Sequence, residues 1–441
     1  MPYEGKTGDL YREFLTKMCR ELKKWDDTRL YIGNTGYGLG HSGDIYDVHR
    51  YWGWYYNTFL TYLNMRDKAM WQNPGRVQPI TFTECVGNYT GIDGRFNLCS
   101  RTKQPGSQKC WTGHLPDDEQ AGAAMTYQAF VLKNATELFR RLRSQNSCLA
   151  GTMPFTIIFH NWDGVKSFAE MKPKPVAWQY QISYQPVLLS WENWQSQIYA
   201  GSKLAVVAHV VNDDDYGNDL DEVHLQWWIE KEGEKVLEGE VDLPSVPYYG
   251  TCKRPLSIDI PKNLPSGDYM LKGEIWSKGS KVSYNESELF IAGKDWRGTE
   301  VIKKTIYVYD SSAGEQTLSC LQKLGYPVKA VRMVKELPRN STLILAKNSW
   351  DDSLNNQSEQ LKEYVSKGGR IICLQQDAAT FNQSWLPTSV EFLKDSNNDP
   401  VYLSPSLAYA DGMNINLERP YHPVFNGLTP KQFRLWSDYT S

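Results

Sequence analysis

Long apolar runs and an excess of either charge sign are both missing from this sequence. No stretch approaches the roughly 18–20 apolar residues that a membrane-spanning helix needs, so we predict no membrane span. The 48 Lys and Arg residues against 51 Asp and Glu residues give a net charge of only −3. This balance predicts neither a nucleic acid nor an anionic membrane as a partner.

The eight cysteines lack the motifs that hold metals. They form no Cys-x-x-Cys pair and no Cys/His spacing typical of metal ligands, so we predict no metal site and no cofactor. Cys99 and Cys110 flank a polar loop and are a candidate disulfide pair if the compartment is oxidising. The other cysteines are interpreted as small buried hydrophobic residues.

Aromatic residues are abundant instead, at 13% of the chain with 16 Trp and 27 Tyr. Aromatic rings stack on sugars, but they also fill the cores of β-rich domains, so both interpretations stay open on composition alone. A chain of 441 residues exceeds one compact core, which predicts several domains.

The first predicted domain, residues 1–180, alternates strand-like and helix-like patterns. Such alternation indicates βαβ units and a parallel sheet. The predicted strands are 30–33, 45–51, 80–84 and 149–159, and the predicted helices are 8–27, 59–70 and 119–144. A closed barrel of this type has eight strands, so we predict a partial (β/α)8 barrel.

Two further domains are predicted after a proline-rich stretch, 171–187, which is interpreted as a linker. Residues 181–295 contain short alternating runs between Asn, Asp and Gly turns, which predicts an immunoglobulin-like β-sandwich. Residues 298–441 return to βα alternation. They predict a flavodoxin-like or class I amidotransferase-like α/β domain, truncated at its C-terminus.

One carboxylate stands at the end of a predicted buried strand. The run Ile80-Thr81-Phe82-Thr83 leads to Glu84, and Gly87 follows three residues later. In (β/α) barrels the chemistry lies at the carboxyl ends of the strands, which favours Glu84 as a nucleophile that attacks an anomeric carbon. The alternative is a strand-end glutamate that forms only a salt bridge.

Polar and aromatic side chains accompany this carboxylate on neighbouring strands. Alternation along 45–51 puts Asp47, His49 and Tyr51 on one face, a set of groups that hydrogen-bonds sugar hydroxyls well. Further aromatic residues follow that strand or end another one: Trp52, Trp54, Tyr55 and Trp162. The alternatives are a polar strand face that meets solvent and aromatic core filling.

These residues resemble the catalytic barrel of glycoside hydrolase family 2, which contains β-galactosidases, β-glucuronidases and β-mannosidases. The matching elements are Asp-Val-His-x-Tyr at 47–51, Thr-Glu-Cys-Val-Gly at 83–87 and Asn-Trp-Asp at 161–163. The segment 25–30 also resembles the family's Asp-Pro-Thr-Arg-Pro element, with Asp27 in place of proline. The resemblance covers residues 1–293, and 298–441 resemble accessory domains of some β-galactosidases.

The resemblance implies an exo-acting retaining β-glycosidase, most similar to the β-galactosidases, that hydrolyses terminal β-linked sugars with Glu84 as the nucleophile. It also implies a carbohydrate substrate, a homo-oligomer and a periplasmic or secreted location. The residues expected to contact the sugar are His49, Tyr51, Trp52, Trp54, Asn88 and Trp162. A β-glucuronidase or β-mannosidase is an alternative, and so is a non-catalytic carbohydrate-binding or scaffold fragment.

The family's second glutamate, the acid/base residue, follows an asparagine at the end of the fourth barrel strand. Counting back along the sequence places that Asn-Glu pair just upstream of Met1, and no asparagine precedes the nearby Glu4. Retaining glycosidases need two carboxyl groups about 5–5.5 Å apart. We therefore expect this chain to be a fragment that is inactive on its own.

The last domain is predicted to lack catalytic chemistry of its own. In active amidotransferase-like folds, the strand after a segment such as Gly368-Gly369 leads to a sharp turn that carries the cysteine nucleophile. Here Cys373 lies within the strand, and the turn at 375–377 has the sequence Gln-Gln-Asp. The loop 310–314 is either an anion cradle at a helix N-terminus or an ordinary βα turn.

Overall fold

The computed structural model describes residues 5–33, 43–50, 79–85, 117–141, 149–154, 167–171, 173–297, 303–312, 314–377, 379–390 and 421–433. The chain divides into two compact units, one formed by Met1–Gly293 with Asp399–Ser441 and the other by Lys294–Asn398. The described residues form a mixed, sheet-rich α/β protein. Within these ranges, no helix is both long and apolar enough to cross a bilayer.

The first unit contains a parallel sheet with the strand order β1-β2-β3. Its elements are α1 (Gly5–Trp25), β1 (Tyr46–Arg50), β2 (Ile80–Cys85), α2 (Asp117–Arg141) and β3 (Leu149–Pro154). The predicted strand at 30–33 is reduced to one parallel bridge between Ile32 and Ile45. The helix predicted at 59–70 lies outside the described residues, as does the candidate Cys99–Cys110 pair.

Helix α2 packs against the parallel sheet through one apolar side. Tyr127, Val131, Ala135 and Phe139 recur along it every four residues and are all buried, as the amphipathic pattern predicts. The Phe139 ring stacks on Phe82 of β2, with 5.2 Å between the ring centroids. Burying side chains of this size contributes about 1.5–3 kcal/mol each, so this contact fixes β2 against the helix.

A helix replaces part of the predicted linker at 171–187. Helix α3 (Pro175–Ser183) begins with a proline, and Lys174 occupies its N-cap position. Proline is well tolerated at the first helical position because the N–H that it lacks has no partner within the helix there. The prediction of a linker was therefore wrong at this point, because the Lys-Pro-Lys-Pro sequence leads into a helix.

Among the described residues, a β-sandwich follows in the same unit. Its strands are β4 (Val187–Glu192), β5 (Gln197–Tyr199), β6 (Lys203–Asn212), β7 (His224–Lys231), β8 (Glu234–Asp242), β9 (Thr251–Asp259), β10 (Gly267–Ser277) and β11 (Ser280–Ala292). One sheet has the order β5-β11-β10-β7-β8 and the other β4-β6-β9. The pairs are antiparallel except for β5 with β11.

The inner faces of both sheets share one apolar core. Its most buried members include Leu189, Leu204, Val210, Leu225, Ile229, Leu271, Ile275 and Ile291. At Gly273 a Cβ atom would lie 2.6 Å from the Trp191 ring, so this close approach requires glycine. The alternating runs at 203–212, 224–230, 257–260, 269–276 and 287–291 predict β6, β7, β9, β10 and β11, whereas no run predicts β4, β5 or β8.

The second unit contains a four-stranded parallel sheet with the order β13-β12-β14-β15. Its elements are β12 (Ile306–Tyr309), α4 (Gln316–Lys323), β13 (Val328–Ala330), β14 (Thr342–Leu345), α5 (Asp352–Asn355), α6 (Ser358–Ser366) and β15 (Arg370–Cys373). The predicted βα alternation is confirmed here. Gly368 has a φ of +90°, as the predicted helix end requires.

Candidate active site at the carboxyl end of the parallel sheet

The structure brings two of the predicted site residues together at the backbone level. In the pairing of β1 with β2, His49 lies opposite Glu84, and Arg50 lies opposite Cys85. Both strands run in the same direction, so these positions share the carboxyl edge of the sheet. This is the edge at which parallel α/β folds place their ligands and catalytic groups.

The register of β2 shifts against both neighbouring strands close to Glu84. Asp47 pairs with Thr81, and His49 pairs with Glu84. One residue lies between these two pairs on β1, but two residues lie between them on β2.

The pairing with β3 shifts twice: β3 has a surplus residue between the partners of Ile80 and Thr81, and β2 has one between Phe82 and Cys85. Thr83 is the position common to the two mismatches that place the surplus residue on β2. A surplus residue of this kind has the form of a β-bulge, which is rare between parallel strands. Bulges are frequent beside active sites because they change the direction in which a side chain points.

Asp47 bonds to β2 on both sides of this register shift, whereas strand alternation placed it among groups that hydrogen-bond sugar hydroxyls. Its side chain is buried, with 1% of its surface exposed. Oδ1 accepts hydrogen bonds from Thr81 Oγ1 at 2.7 Å and from the Thr83 backbone N–H at 3.1 Å, and Oδ2 accepts one from Thr83 Oγ1 at 2.6 Å. The carboxylate therefore holds β1 and β2 together.

On the other side of β2, strand β3 is anchored to helix α3. The Tyr184 hydroxyl, directly after α3, donates a hydrogen bond to the carbonyl oxygen of Thr152 at 2.5 Å. The Thr152 hydroxyl also lies 3.4 Å from the Thr136 hydroxyl of α2. Strand β2 thus lies between β1, to which Asp47 bonds it, and β3, which is itself bonded to Tyr184 and to α2.

The other predicted sugar contacts lie outside the described residues. They are Tyr51, Trp52, Trp54, Asn88 and Trp162, and Tyr55 and Glu4 fall there as well. Their roles remain predictions from the sequence. The division into domains at 1–180, 181–295 and 298–441 and the assignment to a partial barrel also remain predictions.

Two buried polar groups near the sheet were not found from the sequence. Glu137 of α2 accepts hydrogen bonds from Lys133 Nζ at 2.9 Å, Asn285 Nδ2 at 2.9 Å and Ser190 Oγ at 2.8 Å, which joins α2 to β4 and β11. Lys174, at the start of α3, is fully buried, and burial lowers its pKa to about 7. The sequence offered one signal for Glu137: a charged residue stands at a position where the helical pattern predicts a buried side chain.

In the second unit, the helix N-terminus that follows the loop 310–314 is occupied by the chain's own carboxylate, which favours the ordinary βα turn over the anion cradle. Asp310 Oδ2 accepts hydrogen bonds from the backbone N–H groups of Thr317 at 2.9 Å and Leu318 at 3.2 Å, in the first turn of α4. Burial alone raises the pKa of Asp310, but the hydrogen bonds from Ser312, Leu318 and Thr317 outweigh it and hold the pKa below its ordinary value.

The loops after β12 and β14 are bonded to each other at the point where the strand order reverses. The Ser311 N–H donates to Ser349 Oγ at 3.2 Å, and Ser311 Oγ donates to the Ser349 carbonyl oxygen at 3.0 Å. Open α/β sheets bind ligands at this position. Gln376, at the predicted elbow, accepts from the Trp350 N–H at 3.0 Å and donates to the Ala346 carbonyl oxygen at 2.8 Å. Its carboxamide therefore supports the fold.

Metal ligands do not converge anywhere in the part of the chain that the structure describes. No group of three or more His, Cys, Asp or Glu side chains there has an arrangement that would hold an ion.

The sequence matches no protein-family model and no curated protein. Among solved structures, the exo-chitosanase of Amycolatopsis orientalis aligns with 39% of this chain and 20% of its own, at 13% identity and a TM-score of 0.27. A β-D-mannosidase from Dictyoglomus thermophilum aligns with 41% of this chain and 21% of its own, at 13% identity and a TM-score of 0.28.

A third solved structure also shows a partial likeness. The CARDB domain of a Pyrococcus furiosus protein aligns with 24% of this chain and 94% of its own, at 9% identity and a TM-score of 0.19. Glycosidases are thus among the structural neighbours, and this chain spans about a fifth of the two named above. Likenesses of this extent carry no argument about function.

Proposed function

We propose that this chain carries part of the active site of a retaining β-glycosidase, with Glu84 as the nucleophile. The observation that carries the proposal is the backbone position of Glu84. It lies at the carboxyl edge of a parallel sheet, directly after a bulge and opposite His49. The sequence resemblance described above adds the expectation of a β-galactosidase-like, exo-acting enzyme.

The proposed chemistry is a double displacement. A carboxylate oxygen of Glu84 attacks the anomeric carbon, the glycosidic bond breaks, and the leaving oxygen departs with the electron pair and takes up a proton. Water then attacks the same carbon and releases Glu84, so that the sugar keeps its configuration. A second carboxylate normally supplies the proton and later activates the water, and this help contributes typically about 10²–10⁴-fold.

The test uses a substrate whose leaving group needs no proton. Covalent labelling then requires the nucleophile and no acid/base carboxyl, so it is expected even from a chain that does not turn over ordinary glycosides. A 2,4-dinitrophenyl 2-deoxy-2-fluoro-β-galactoside loses a stable phenolate, and the fluorine slows release of the sugar from the enzyme. Mass spectrometry should show one added fluorosugar per chain, on the peptide that contains Glu84. The matched variant Glu84→Gln keeps the shape of the side chain and should not be labelled.

The manno and glucurono versions of the reagent test the alternative sugars of the same family. Labelling by one of them instead of the galacto reagent would keep the nucleophile and change the substrate. Wild-type protein that binds the sugars in calorimetry but is never labelled would instead favour a non-catalytic carbohydrate-binding protein. Labelling of Glu84→Gln at the wild-type rate would show that another residue reacts.

A further inference from the structure

The bulge at Thr83 creates a structural requirement. A surplus residue interrupts the regular backbone pairing of a strand, and its N–H group then needs a partner other than the ladder. Against β1 this interruption comes directly before Glu84, and against β3 it spans Thr83 and Glu84. Whatever fixes Thr83 therefore also fixes the backbone of the next residue.

Asp47 supplies this partner from the neighbouring strand. Its backbone pairs with Thr81, before the bulge, while its carboxylate reaches forward to both the N–H and the hydroxyl of Thr83. Hydrogen bonds to a charged acceptor are roughly twice as strong as neutral ones, and here the acceptor is buried. Asp47 thus accepts two hydrogen bonds from Thr83, in the bulge. It accepts a third from Thr81, in the part of β2 that pairs regularly with β1.

We infer that Asp47 is a positioning residue for Glu84, acting through Thr83 and making no contact with the sugar. This inference rests on the proposed function. Both oxygens of its carboxylate accept hydrogen bonds from β2, and the side chain is closed off from solvent. These bonds fix the carboxyl end of β2, and a displacement of about 1 Å at a reacting group can lower a rate by about 10²-fold.

The experiment measures how fast the fluorosugar reagent labels Glu84, over a range of reagent concentrations. Such data separate reagent binding from the rate constant of the covalent step. Asp47→Ala should lower the covalent rate constant by about 10²-fold and leave reagent binding within about threefold of wild type. Asp47→Asn keeps a carbonyl oxygen for the Thr83 N–H and should recover most of that loss.

Two threonines provide a matched pair. Thr83→Val and Thr81→Val each remove one hydroxyl hydrogen bond to Asp47 and keep the side-chain shape, but only Thr83 lies in the bulge. We expect about a tenfold slower covalent step for Thr83→Val and less than about threefold for Thr81→Val. Urea unfolding of both variants should show similar losses of stability, so a difference in rate reports positioning.

The outcomes separate the two proposals. Wild-type protein that is not labelled at Glu84 overturns the proposed function and this inference together. Wild-type labelling combined with unchanged covalent rates in folded Asp47→Ala and Thr83→Val overturns only the inference. Equal slowing by Thr81→Val and Thr83→Val would also overturn it, because Asp47 would then act on stability alone.

Discussion

Replacing Glu137 with alanine is expected to lower the free energy of unfolding of the first unit by about 3–5 kcal/mol. Glu137 has 2% of its surface exposed, and its nearest cation, Lys133, has a side chain that is 17% exposed. The substitution leaves that ammonium group without its carboxylate and removes the acceptor used by Asn285 and Ser190. Urea unfolding followed by circular dichroism measures the change.

The control variants separate charge from hydrogen bonding. Glu137→Gln retains an acceptor oxygen and should cost only about 1.5–3 kcal/mol, the range for a hydrogen bond to a charged group. Lys133→Met should cost less in the Glu137→Ala background than in the wild type, because the unpaired ammonium is then removed. A cost below about 1 kcal/mol for Glu137→Ala, or strict additivity with Lys133→Met, would refute the reasoning.

Three further predictions concern other buried positions. Burial lowers the pKa of Lys174 to about 7, whereas a lysine in an unfolded chain has a pKa of about 10.4. Between these two pH values the unfolded chain binds a proton that the folded chain does not. The free energy of unfolding should therefore rise with pH by up to about 1.4 kcal/mol per unit from about pH 7 to about pH 10, and Lys174→Met should remove this slope in urea titrations. Asp310→Ala should cost about 1–2 kcal/mol by loss of the α4 cap. Because the folded pKa of Asp310 is lowered, this difference should be present at neutral pH and fade on acidification, as thermal unfolding at several pH values would show. Gly273→Ala should destabilise by about 1–3 kcal/mol because its Cβ meets the Trp191 ring. Gly122→Ala, at an exposed position of α2 where a Cβ meets nothing, should stabilise by up to about 1 kcal/mol, and chemical denaturation compares the two variants.

Helices and strands whose apolar residues recur at a regular spacing were predictable from the sequence. Helices α1 and α2 were predicted because apolar residues recur at helical spacing over twenty residues or more in each. Strand β2 was predictable because a β-branched and aromatic run is bounded by proline and glycine. β8 was missed because it is an edge strand rich in glutamate and lysine, whose composition is that of an exposed loop.

The support of the candidate site was not predictable, because it depends on register. Alternation along 45–51 groups Asp47 with His49 and Tyr51, but only the pairing with β2 shows that the Asp47 oxygens meet Thr81 and Thr83. The same holds for Asp310, since a loop sequence does not reveal that its own carboxylate occupies the helix N-terminus. A bulge likewise cannot be predicted from the sequence of one strand, because it is a mismatch in the pairing of two strands.

The buried position of Asn285 has a consequence for production of the protein. Asn285, Glu286 and Ser287 form an acceptor sequence for N-linked glycans. The Asn285 amide is completely buried and bonds Glu137 and the Leu189 carbonyl oxygen, so a sugar can be attached only before β11 is in place. A chain modified there cannot close the sandwich against α2. In a eukaryotic secretory host, glycosylation would therefore compete directly with folding, and Ser287→Ala would remove that competition while leaving Asn285 itself unchanged.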